Sequence, residues 1–129
     1  MNYKSLISIL FNNNLVKGAS AHWWSQRLTA LCLIFFGSWF IVSLVMMDNF
    51  QFFYIRDWIL RPLNSIILVL FGLSLTYHSS LGLDVIIEDY MHQPSQRKLC
   101  LNLNKKIHLI LSFILIFSLV AINLELFNG

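Results

Sequence analysis

Charge is scarce in this chain. Nine basic and six acidic residues make up 12% of its 129 positions, 57% are hydrophobic, and the mean hydropathy is +0.69. Soluble domains carry about a quarter charged residues, so the composition argues against a soluble globular domain. With a net charge of +3, it also argues against a nucleic-acid footprint; the excess reads instead as topology and attraction to a membrane surface. Cysteine is equally sparse: Cys32 lies in an apolar run and Cys100 in a polar one, so the two are not expected to pair. No C-x-x-C-H occurs, which excludes the usual covalent haem attachment. A Gly-rich phosphate loop, a zinc-type ligand cluster, a four-cysteine cluster spacing and an internal repeat are all missing. Chemistry that depends on a nucleotide, a zinc ion or an iron–sulfur cluster therefore has no home in this chain.

What the sequence has is long apolar runs. Residues 28–47 give twenty without a charge, residues 107–124 give eighteen, and residues 63–87 give twenty-five interrupted only by His78 and Asp84. A hydrocarbon core of about 30 Å needs roughly 20 helical residues. The expected fold is an all-α membrane protein with three transmembrane helices, about 27–47, 63–88 and 106–125, in an up-down-up bundle. It forms a single anchor domain, 1–129, led by an interfacial segment, 1–26. Lys4, Lys17, Arg27, Arg97, Lys98, Lys105 and Lys106 fall on one side of these spans, against Arg56 and Arg61 on the other. Seven against two predicts a cytoplasmic N-terminus and second loop by the positive-inside rule. The opening "MNYKSLISILFNNN" shows no small-residue cleavage site and little arginine, against a signal peptide or mitochondrial presequence. The expected location is a bacterial inner membrane, with a processed organellar protein as the alternative.

Between the spans, "DNFQFFYIRDWILRP" (48–62) predicts a short amphipathic segment on the far surface, and Pro62 stands where a helix can begin. The polar, basic stretch 91–106 reads as a loop, with Pro94 closing the second helix. Trp23 and Trp24 suit the headgroup boundary.

His78 is the residue that demands a reason. It stands three residues past the middle of the second span, and an ionisable group at that depth is costly without a partner. It could bond another helix, relay a proton, or ligate a metal or haem iron. The other histidines, His22, His92 and His108, belong near or beyond the cytoplasmic boundary. Helical spacing sets Ser74, His78, Gly82, Val85 and Asp89 on one stripe. Gly82 leaves room for something flat against the helix, or for a close helix neighbour. Asp84 points about 120° away from His78 and could reach polar headgroups. Tyr90 lies about 18 Å further along the axis, at the membrane surface. There a phenol beside the carboxyls of Glu88 and Asp89 is either a belt residue or a donor to a carbonyl such as a quinone's. Arg27 precedes the first span, able to pair with a carboxylate or to reach a lipid phosphate.

"SAHWWSQRLTAL" followed by "YHSSLGLDVIIEDYMH" resembles the smaller, D-type hydrophobic anchor subunit of succinate dehydrogenase, respiratory complex II. An arginine followed by Thr-Ala, then H-x-x-x-G, then Asp-Tyr with the tyrosine twelve residues past the histidine occur in the family's order and spacing; "IIEDYMH" is similar to the alphaproteobacterial and mitochondrial version. The resemblance implies that His78 is an axial ligand to haem b and that the second ligand comes from a C-type anchor. It further implies that Arg27 lies near the haem propionates, Gly82 packs on the haem, and Tyr90, with Asp89, bonds ubiquinone. Iron–sulfur and flavoprotein subunits are the implied partners, and the chain would serve a tricarboxylic acid cycle and electron-transport enzyme without being its dehydrogenase. The match weakens at His22, Ser25 and Gln26, and Asp84 replaces a commonly neutral residue.

Ligand count supports partnership independently. A bis-histidine haem needs two mid-membrane histidines and this chain has one, so any such haem lies between chains. The competing readings are a small transporter or proton-relay component using His78 and Asp84, and a structural subunit of another membrane complex.

Overall fold

The computed structural model describes residues 19–124, which form four helices. These are α1 (Ala19–Val45), α2 (Phe52–Leu60), α3 (Pro62–Tyr90) and α4 (Pro94–Asn123). The protein is all-helical over the described residues, and α1, α3 and α4 are each long and apolar enough to cross a membrane. Their 27, 29 and 30 residues exceed the roughly 20 that a bilayer core requires.

The excess length lies at one end and corrects two expectations. The interfacial segment expected over 1–26 falls partly outside the described residues; from Ala19 onward the chain is already helical and continuous with the first span. The polar stretch 91–106 is not a loop. Only residues 91–93 connect α3 to α4, and Pro94 opens α4 instead of closing α3. Proline at a helix's first turn removes an N–H that has no intrahelical acceptor, so it starts a helix without loss. Hydropathy marks where a helix leaves the hydrocarbon, whereas the helix itself continues for as long as its backbone bonds do.

The amphipathic segment after the first span is present as α2, and Pro62 stands at the first turn of α3. Between them, the Asn64 Nδ2 donates to the Trp58 carbonyl at 2.8 Å and the Ser65 hydroxyl donates to the Ile59 carbonyl. On its other side α2 is clamped by aromatics. Trp58 stacks on Trp39 of α1 with centroids 5.5 Å apart, and Phe40 of α1 meets Phe71 of α3 at 5.4 Å.

α3 is the middle helix and packs along both α1 and α4. Gly72 sets its approach to α4, because a Cβ at that position would overlap the Leu115 side chain. Among the described residues the only buried hydrophobic side chains are Leu81 and Ala121, whereas Phe35 (73%) and Phe117 (65%) are examples of large side chains left exposed. In hydrocarbon such a surface needs no cover, since lipid tails are as apolar as leucine.

Candidate functional site

His78 bonds across to α1. Its Nδ1 lies 3.0 Å from the Thr29 Oγ1, and the described residues offer its Nε2 no hydrogen-bond partner. Thr29 Oγ1 also lies 2.8 Å from the Ser25 carbonyl and 3.1 Å from the Gln26 carbonyl, one turn back in α1. The imidazole, half-buried, is thus oriented by one nitrogen and presents the other. One turn further along α3, a Cβ at Gly82 would meet nothing within 4 Å. Gly82 therefore does not serve close packing between the described helices; it leaves open space along the histidine stripe.

At the end of α3, Asp89 and Tyr90 are both exposed, Tyr90 to 79%. The Tyr90 carbonyl is met by the His92 Nδ1 at 3.1 Å, while its phenol projects from the last helical residue. Twelve residues separate Tyr90 from His78, a rise of about 18 Å. Arg27 is exposed, and its guanidinium carbon sits 5.3 Å from the centroid of the Trp23 ring. That cation–π contact turns it along the outside of α1, next to the perpendicular Trp23–Trp24 pair.

Asp84 departs from expectation. It does not project outward but is buried between α3 and α4, where the Asn104 Nδ2 donates to its Oδ1 at 2.9 Å. The same amide donates to the Ser80 carbonyl at 2.9 Å. Further along this contact the His108 Nε2 lies 3.2 Å from the Ser79 hydroxyl, and Thr76 and Ser112 share a hydroxyl bond of 3.0 Å. Sequence reasoning missed this seam because Asn104 had been given to a loop. The signal was present: residues 104, 108 and 112 in α4, and 76, 80 and 84 in α3, repeat every four positions, one face of a helix each. A cleft of about 720 Å³ runs between α1 and α4, lined by Thr29, Tyr77, Asp84, Lys105 and His108 among others, and not by His78. His78 and Asp84 are not brought together, so the relay that would link them has no geometric basis. No group of three or more His, Cys, Asp or Glu side chains converges on a metal site among the described residues.

Comparison with known proteins adds to this geometry. Residues 14–121 match the family described as the succinate dehydrogenase/fumarate reductase transmembrane subunit. The succinate dehydrogenase hydrophobic membrane anchor subunit of Rickettsia bellii (strain RML369-C) is 34% identical over 80 residues, covering 62% of this chain and 64% of that one. The subunit of the same name from Rickettsia prowazekii (strain Madrid E) is 32% identical over 90 residues, 70% of this chain and 72% of its own. That of Rickettsia typhi (strain ATCC VR-144 / Wilmington) is 29% identical over 111 residues, 86% and 83% respectively. The chain thus spans somewhat under two thirds of the Rickettsia bellii relative and more of the others. No solved structure matches it. Three helices long and apolar enough to cross a membrane and a family match over most of the length agree: this chain is a multi-pass membrane protein and belongs to the succinate dehydrogenase/fumarate reductase transmembrane subunit family.

Proposed function

We propose that the chain is the D-type membrane anchor of a succinate:quinone oxidoreductase in a bacterial inner membrane. It shares a haem b with a C-type anchor, helps to form the ubiquinone site, and docks the iron–sulfur and flavoprotein subunits at the end carrying Tyr90. The observation that carries this reading is the half-satisfied imidazole: His78 Nδ1 is engaged by Thr29 while Nε2 has no partner among the described residues. In a medium without water, an unpartnered polar atom is expensive, and an iron ion is a partner that suits a neutral imidazole. The residues present fit a haem. His78 would hold the iron through Nε2, and the open space at Gly82 admits a flat ring. Arg27 would reach a propionate after leaving the Trp23 face, a bidentate pairing stronger than its cation–π contact. When bound, the haem supplies a one-electron redox centre inside the membrane.

The surface site follows from quinone chemistry, which takes up two electrons and two protons. The Tyr90 phenol would donate a hydrogen bond to a quinone carbonyl oxygen, and the Asp89 carboxyl beside it would pass a proton toward that oxygen. Because Tyr90 is 79% exposed in this chain, the walls that exclude water must come from other subunits. The N-terminal end of α1, the C-terminal end of α3 and the start of α4 lie together by helix order, and Arg27, Arg97, Lys98, Lys105 and Lys106 cluster there. Positive charge favours the cytoplasmic side, which sets the docking face and the quinone site in the same compartment.

Two experiments test this. The assembled complex should show a b-type reduced-minus-oxidised spectrum that His78→Ala weakens at least several-fold; an unchanged spectrum would rule out ligation by His78. Tyr90→Phe should lower quinone reduction tenfold or more while sparing succinate oxidation by an artificial soluble acceptor. Equal loss in both assays would mean faulty assembly and would sink the quinone role.

A further inference from the structure

We infer that Thr29 is the positioning residue that fixes the tautomer of His78, by accepting a hydrogen bond from Nδ1–H. This rests on the reading of His78 as a haem ligand. A hydroxyl carries one hydrogen, and Thr29 Oγ1 has three neighbours within bonding distance: the Ser25 and Gln26 carbonyl oxygens at 2.8 and 3.1 Å and His78 Nδ1 at 3.0 Å. Carbonyl oxygens only accept. When the hydroxyl hydrogen goes back to the Ser25 carbonyl, the shortest of the three contacts and a habit of threonine in helices, the oxygen can only accept from the ring. Nδ1 then carries the proton and Nε2 keeps its lone pair. The opposite arrangement, with Thr29 donating to Nδ1, would place the proton on Nε2 and close it to iron. Ligating histidines nearly always donate their other N–H to an acceptor that sets ring orientation and basicity. Here that acceptor comes from a different helix, so the α1–α3 contact and the electronic state of the ligand are one bond.

A bond from Nδ1–H makes the imidazole more basic and favours ferric over ferrous iron. Removing the acceptor should therefore raise the haem midpoint potential, and a stronger acceptor should lower it. The test uses the assembled complex with Thr29→Val, Thr29→Ser and Thr29→Asn, read by redox titration and by the ferric electron paramagnetic resonance signal. Val should shift the potential upward by up to tenfold in the ferric-to-ferrous affinity ratio, about 59 mV for a one-electron couple. Ser should stay at the unmodified value. Asn, whose carboxamide oxygen is the better acceptor, should move it downward. A merely structural role would shift Val and Asn in the same direction, and either that result or unmoved potentials would overturn the inference. If Val does not assemble, the direction of the Asn shift alone decides. Failure here is separable from failure of the ligand reading, because that reading stands or falls on whether His78→Ala weakens the b-type spectrum, whatever the Thr29 variants do.

Discussion

The two flanks of α3 are built differently. Toward α4 it presents a run of small polar residues, each answered: Asp84 and Ser80 by Asn104, Ser79 by His108, Thr76 by Ser112, and Ser65 by Asn123 at the far end. Toward α1 the contact is largely aromatic and apolar, and among the described residues it carries one polar bond, His78 to Thr29, with one ring nitrogen left over. Within a bilayer no hydrophobic force draws helices together, so close packing and interhelical hydrogen bonds must. The α4 flank uses its polar groups for that purpose and exhausts them. The α1 flank spends its single histidine only halfway. Satisfaction is what separates a polar residue that holds a membrane bundle together from one that waits for a ligand.

Substitutions on the α4 flank should therefore act on stability and those on the α1 flank, if the proposed haem is held there, on its spectrum and potential. The largest stability effect is expected for Asn104→Leu, which leaves the buried Asp84 without its donor. A loss of about 1–3 kcal/mol follows from an unsatisfied buried polar group, read as a lower temperature of dissociation for the assembled complex, with the haem spectrum unshifted below that temperature. Next comes Gly72→Val, where added carbons meet Leu115; overpacking of this kind costs about 1–3 kcal/mol, partly relieved because Leu115 can rotate. Smallest is Thr76→Val, which removes one hydroxyl bond to Ser112 and should cost about 0.6 kcal/mol, the average for interhelical bonds in a membrane protein. A shift of the haem potential in any of these three would break the division between the flanks.

Much of this was legible in the sequence, and the gaps have physical causes. The three spans were readable because twenty apolar residues have few other uses, and His78 stood out because its depth makes it costly. The extent of α1 and α4 was not readable. His22 through Gln26 and residues 94–105 are helical yet polar, and no hydropathy rule separates a solvated helix from a loop. That error hid Asn104 and, with it, the partner of Asp84. Thr29 was visible only as part of a motif, since its meeting with His78 depends on how α1 is rotated against α3. Arg27 was expected at the membrane boundary from its place just before the first apolar run; its contact with Trp23 is a choice of rotamer and not of spacing.

Three long rods joined through so few interior side chains take their lean from what surrounds them. Thinner lipid would tilt them without melting them, because mismatch is absorbed at fractions of a kcal/mol per ångström. Such a lean would carry the phenol at the tip of the middle rod up or down relative to the headgroups. On the proposed reading, the thickness of the host bilayer would then bear on how readily a fat-soluble electron acceptor finds its berth.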